Sequence, residues 1–154
     1  MFDQAFIEYL AHFHCTRDYF ECHEILEERW KQEYPLDRDS IWVAFIQLSV
    51  SLYHYRRGNT PGAKRLIQKS IQKFQKHQDM LSSFGLDRRE FFIMLTQIES
   101  RILEDKPYVD VCIPITHNEL KKAIKKRCSE WNHPFPSKSD LSNYQLVDRH
   151  KNRQ

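Results

Sequence analysis

The feature that most constrains this chain is the 16-residue stretch from Ser40 to Tyr55, which carries no charged side chain. Its apolar residues, Ile41, Trp42, Val43, Phe45, Ile46, Leu48, Val50, Leu52, Tyr53 and Tyr55, cover a helical wheel almost all round. A helix of that kind is stable only where neighbours bury every side of it, so it belongs at the centre of a bundle. It is also too short and too interrupted by Ser, Gln and His to span a bilayer, which needs about 20 apolar residues. Gly58-Asn59 ends the stretch and Thr60-Pro61 opens the next, with Thr60 as N-cap and proline at the first helical position. That chemistry makes a tight turn between antiparallel helices. The chain therefore centres on an apolar helical hairpin.

Helical spacing extends in both directions from the hairpin. A first helix runs from about Asp3 to Phe13, and a second, capped by Thr16, from Arg17 to about Glu33, stopping before Tyr34-Pro35. Asp37 or Asp39 is expected to cap the central helix. The fourth spans Pro61 to about Phe84 and ends at Gly85; Asp87 caps a fifth, Arg88 to about Glu104. Thr116 starts a short helix to about Cys128, residues 132–142 read as loop, and the last dozen residues are expected to fray. Only 3 glycines in 154 residues argue against glycine-turned barrels, phosphate-cradling loops and dinucleotide folds. The expected class is all-α: a compact bundle of about five to six helices.

Charge divides the chain. Residues 1–115 hold 15 Lys and Arg against 17 Asp and Glu, whereas residues 116–154 hold 9 against 4. This predicts a helical bundle domain over 1–115 and a basic C-terminal extension over 116–154. Residues Met1 to Glu8 carry Asp3 and Glu8 and no Lys or Arg, so no signal peptide is expected and the location is read as cytoplasmic, with no membrane partner. Four cysteines, Cys15, Cys22, Cys112 and Cys128, have neither CxxC nor metal-finger spacing and are read as reduced thiols, with disulfides as the alternative.

The chemistry concentrates on the second helix. Tyr19, Cys22, Leu26 and Trp30 form its apolar face, and His23 and Glu27 project between that face and Phe20, stacked by their four-residue spacing. A carboxylate there needs a partner, because desolvating it alone is costly. One reading is a hydrogen-bonded pair. The other is a divalent metal ion, since His-Glu-x-x-Glu is similar to half of a zinc-protease helix motif in which the inner glutamate serves as base. On that reading His23, Glu27 and His54 are the ligands and Glu24 is the catalytic base of a hydrolase-like enzyme. On the third helix Gln47, Ser51 and His54 form a polar stripe, and if it meets His23 and Glu27 the bundle holds an interhelical polar pocket.

At these residues the chain resembles a bacterial family, the domain of unknown function 309. The carriers are Tyr19 to Trp30, similar to that family's Phe-Phe-Glu-x-His-Glu-x-Leu-Glu-x-x-Trp signature, and Gln47-Leu48 with His54 to Ala63, similar to its second signature. The resemblance covers roughly residues 12–104 and marks His23, Glu24, Glu27 and His54 as motif positions. It implies a compact all-helical fold and a bacterial cytoplasmic protein, and it supplies no activity.

Three functions follow as expectations. The first is a binding or interaction module with a polar His/Glu pocket, whose partner is another protein or a second copy of the chain. The Arg56-Arg57-Gly58-Asn59 turn is loosely similar to a tetratricopeptide hairpin, but no second copy follows at a period of about 34 residues. The second is the metal-dependent enzyme. The third is nucleic-acid binding through the basic face Arg65, Lys69, Lys73 and Lys76 and the tail residues Lys121, Lys122, Lys125, Lys126 and Arg127. The net negative body and the lack of a recognised binding motif argue against it.

Overall fold

A computed structural model describes residues 2–148. In chain order its helices are α1 (Gln4–Ala11), α2 (Tyr19–Lys31), α3 (Ile41–Arg56), α4 (Thr60–Lys76), α5 (Arg88–Leu103), α6 (Asn118–Glu130) and the single turn α7 (Tyr144–Val147). The fold is all-α, as the periodicity predicts. Among the described residues the only strand-like pairing is an isolated bridge between Leu86 and Ile115.

Helix α3 is the axis, and its largest interfaces are with α4 and α2. Of its residues, Ile41, Trp42, Ala44, Phe45, Leu48, Leu52 and Tyr53 are all buried. Phe45 lies 4.8 Å from Phe74 of α4 and 5.0 Å from Phe6 of α1, and Phe74 lies 4.8 Å from Phe91 of α5. Ring pairs at these distances add about 0.5–1.5 kcal/mol each beyond the area they bury. Two of the small polar residues of this core are satisfied across the α3–α4 seam, while Ser49 donates to the Ile46 carbonyl within α3. Ser51 donates to the Ala63 carbonyl at 2.7 Å, and Ser70 donates to the Ala44 carbonyl at 2.8 Å.

Each helix opens on a side-chain cap, and several caps stand one or two residues from the expected position. Asp18 caps α2, Ser40 caps α3, Asn59 caps α4, Asp87 caps α5 and His117 caps α6. Thr16 is displaced from capping α2 because α1 continues as a π-helical turn over His12–Thr16, closed by Arg17 in the left-handed region at φ 56°. Thr16 instead accepts the Asp18 amide at 3.2 Å. Helix α4 stops at Lys76, short of the expected Phe84, and a 3-10 turn at Gln78–Met80 leads to Gly85. Gly85 has φ 80°, and a β-carbon there would stand 2.8 Å from Leu120 Cδ2. The close approach of α6 to this turn requires glycine.

Two further expectations are corrected. Cys15 and Cys128 are not reduced thiols; they form a disulfide with their α-carbons 6.0 Å apart, leaving Cys22 and Cys112 free. The partners are 113 residues apart in sequence, and only the packing of α6 on α1 brings them together. Nor does the whole of the last dozen residues fray: Leu146 and Val147 of α7 are buried. The rest of that expectation, over residues 149–154, lies outside the described residues.

Candidate functional site

Helix α2 packs on α3 and α1, with Tyr19, Cys22 and Leu26 fully buried, Tyr19 under Arg56 of α3 and Cys22 donating to the Tyr9 carbonyl of α1. This orientation puts His23 and Glu27 on the rim rather than in the interior, with side chains 26% and 35% exposed. His23 Nε2 lies 2.7 Å from Glu27 Oε2, and Lys31 Nζ lies 3.2 Å from Glu27 Oε1. Both oxygens of Glu27 are thus engaged on the surface of its own helix. Glu24, more exposed, approaches His23 Nδ1 only to 3.9 Å.

The polar stripe of α3 separates into three environments. Ser51 serves the α3–α4 seam. His54 closes the α3–α4 turn: its Nδ1 lies 3.1 Å from Arg57 Nη2 and 3.3 Å from Asn59 Nδ2, and because both partners are donors, Nδ1 accepts. Gly62 is pressed against it, and a β-carbon there would stand 3.1 Å from His54 Cδ2. Gln47 alone turns toward α2. Among the described residues no three His, Cys, Asp or Glu side chains form a group that could hold a metal ion.

What does converge with Glu27 is Gln47 and two lysines of the basic face. A groove of about 500 Å³ runs between α2, α3 and α4, with Glu27, Trp30, Gln47, Lys69 and Lys73 among the residues that line it. Val43 and Ile46 give it an apolar floor, and Arg38 stands at its end. Trp30 is fixed by donating its indole N–H to the Asp37 carbonyl at 2.9 Å. The Gln47 side-chain oxygen is buried and has no hydrogen-bond partner. Lys76 of the same basic face pairs with Asp39 at 3.3 Å, whereas Arg38, Lys69 and Lys73 form no ion pair among the described residues. Arg65 is exposed on α4. Helix α4 contains five Lys and Arg and no Asp or Glu, so nothing on its own surface neutralises them.

Sequence reasoning missed Trp30, Val43, Ile46 and Arg38 as groove residues. The available signal was the absence of any acidic residue from α4, facing a helix that is uncharged from Ile41 to Tyr55 and whose one amide, Gln47, stands a turn away from Val43.

These features define an all-α protein whose central hairpin and second helix frame a cationic, apolar-floored groove. The family model for a domain of unknown function, DUF309, matches residues 6–66, from α1 into α4, which includes α2, α3 and the turn between α3 and α4. The chain is also 42% identical over 151 residues to the uncharacterized protein YpuF of Bacillus subtilis strain 168, covering 98% of this chain and 87% of that protein. The chain belongs to the DUF309 family. No solved structure matches it.

Proposed function

We propose that this protein is an interaction module whose α2–α3–α4 groove receives an acidic segment of a protein partner, with one large apolar side chain seated on the Val43–Ile46 floor. The observation that carries this reading is the pair Lys69 and Lys73, without an ion pair among the described residues and set beside Trp30 and that floor. Rim charges of this kind set orientation and association rate and contribute about 1 kcal/mol or less each. The larger share comes from the buried apolar anchor, as at other interfaces. The orphaned Gln47 oxygen supplies an acceptor for a backbone N–H of the bound segment. We take protein and partner to be cytoplasmic; among the described residues no helix is long and apolar enough to cross a membrane.

A displayed random-peptide library selected on the full chain tests this. Enrichment of peptides that combine Asp or Glu with a large apolar residue, and their loss of binding by about tenfold or more in Lys69→Glu/Lys73→Glu, is the expected result. No enrichment, or enriched peptides that bind the double variant equally well, overturns it. So does capture of short oligonucleotides, but not peptides, through the same two lysines.

A further inference from the structure

On the other flank of α3 lies a second cavity, of about 430 Å³. Leu52 and Tyr55 project there, whereas Val43, Ile46 and Gln47 face the α2–α3–α4 groove. The opposite wall is Ile98 and Arg101 of α5, and the segment after α5 closes it with Val109 and Val111. The volume falls in the range of small-molecule sites, and the lining combines the apolar side chains Leu52, Ile98, Val109 and Val111 with polar Gln97 and Ser100 and one side of charged residues.

Among those charges only one lacks a counter-ion. Lys106 Nζ and Glu104 Oε1, both at the cavity, lie 3.7 Å apart and offset each other. Arg101 has no carboxylate within ion-pair distance among the described residues. Its guanidinium is held in place by donating Nη2 to the Pro107 carbonyl at 2.7 Å, and its Nε is buried with no hydrogen-bond partner. Tyr55 does not serve it: its hydroxyl lies 2.7 and 3.0 Å from the carbonyls of Lys106 and Pro107, to which it donates, and among the described residues it accepts no hydrogen bond from Arg101. Val109 remains 46% exposed at the mouth, an apolar side chain left open to water.

We infer that this cavity binds a small monocarboxylate with an apolar body, its carboxylate on Arg101 and its body against Leu52, Ile98, Val109 and Val111. A single fixed guanidinium matches one carboxylate, which it can hold by charge-assisted hydrogen bonds. A neutral ligand of the same shape would leave the Arg101 charge unmatched, and a cationic one would be repelled by it. A phosphate monoester would bring a second charge for which no further unpaired cation lines the cavity.

The test is a titration of the isotope-labelled full chain with octanoate, 1-octanol and octylamine, followed by NMR. Octanoate should shift signals of Ile98, Val109 and Val111 saturably and bind about tenfold more tightly than octanol, while octylamine shifts none of them. In Arg101→Gln the octanoate affinity should fall to that of octanol. Equal affinities for octanoate and octanol, saturable octylamine binding, or an unchanged octanoate affinity in Arg101→Gln overturns the inference. Octanoate shifts confined to Val43, Ile46 and Lys69 overturn it too, because they assign the carboxylate to the other groove. If Arg101→Gln does not fold, the three-ligand comparison on the native chain decides the matter unaided.

Discussion

Arg56, at the end of α3, lays its guanidinium 4.5 Å from the centroid of the Tyr19 ring, at the start of α2. Its Nη1 donates to the Arg17 carbonyl at 2.7 Å and to Ser139 Oγ at 3.0 Å, and its Nη2 donates to the Leu146 carbonyl at 3.1 Å. Tyr19 in turn shares a 2.5 Å hydroxyl contact with Tyr108, which donates to Asp110 at 2.6 Å. Asp110 accepts from both the amide and the hydroxyl of Ser139. Burial would raise the Asp110 pKa, but these hydrogen bonds and the Arg17 charge hold it below the ordinary value. One buried side chain thus ties the central hairpin to the segment that carries α7.

Arg56→Ala should therefore cost about 3 kcal/mol, because it removes three hydrogen bonds, leaves the Leu146 carbonyl buried without a donor and leaves the Arg17 carbonyl only the Tyr19 amide at 3.2 Å. Arg56→Lys keeps the charge but lacks the planar fork, and should lose roughly half as much. Urea unfolding measures both. Hydrogen exchange should show Leu146 and Val147 losing protection before α3 does; unchanged protection there would mean that the tie is not what holds α7.

Stability should also depend on pH through His14. Its ring is buried, with Nδ1 donating to the Leu10 carbonyl at 2.8 Å and Nε2 accepting the Ile113 amide at 2.9 Å, roles that only the neutral ring can fill together. Burial, with the Arg17 charge adding to it, pushes its pKa from 6.5 down to about 4. Between those values the unfolded chain takes up a proton that the native ring refuses. Stability is therefore full above about pH 6.5, falls as the pH drops, and levels near pH 4 after losing about 3 kcal/mol. The lowered carboxylates Asp3 and Asp110 lose their contribution only below 3.8, so they do not obscure this window. Urea midpoints of His14→Gln should be lower at neutral pH and nearly flat across it; a slope equal to that of the parent would sink the assignment.

The hairpin is legible because its signals are local: Gly58 at φ 86°, a polar cap and the proline at 61 each act within a few residues, although the cap is Asn59 rather than the expected Thr60 and the proline stands second in the helix. The apolar run of α3 likewise declares the burial of most of its sides, whereas Val43, Ile46 and Val50 stay half-buried along the side that carries the groove floor. What the sequence conceals is which neighbour a side chain meets. A wheel places Gln47, Ser51 and His54 on one stripe, yet Gln47 reaches the α2–α3–α4 groove, Ser51 the Ala63 carbonyl and His54 its own turn. The π turn after α1, which moves the α2 cap from Thr16 to Asp18, leaves no compositional mark. Nothing local marks Arg56 as buried, because its partners lie 39, 83 and 90 residues away.

The Cys15–Cys128 bond gives a third prediction. It closes a loop with a sequence separation of 113, for which chain entropy alone gives about 4 to 5 kcal/mol of stabilisation. Denatured protein kept from reductant should titrate with the two thiols of Cys22 and Cys112, and reduced protein with all four. In the native state only the exposed Cys112 should react quickly, since Cys22 is buried and its thiol pKa is pushed well above the usual value by that burial. Four reactive thiols in unreduced, denatured protein would exclude the bond.

Gln47 separates stability from binding. Its buried side-chain oxygen has no partner, a deficit that costs about 1 to 3 kcal/mol in the unliganded protein. Gln47→Leu removes the orphaned acceptor and keeps similar bulk beside Val43 and Ile46, so the variant should be more stable than the parent by about 1 kcal/mol in urea unfolding. If the groove receives an acidic segment, the same change should weaken that segment several-fold, because the acceptor for its backbone N–H has gone. A purely structural role predicts gain or loss in stability with peptide affinity unmoved. A variant that is both more stable and a poorer binder marks Gln47 as a residue kept at a cost to the fold for what the groove holds.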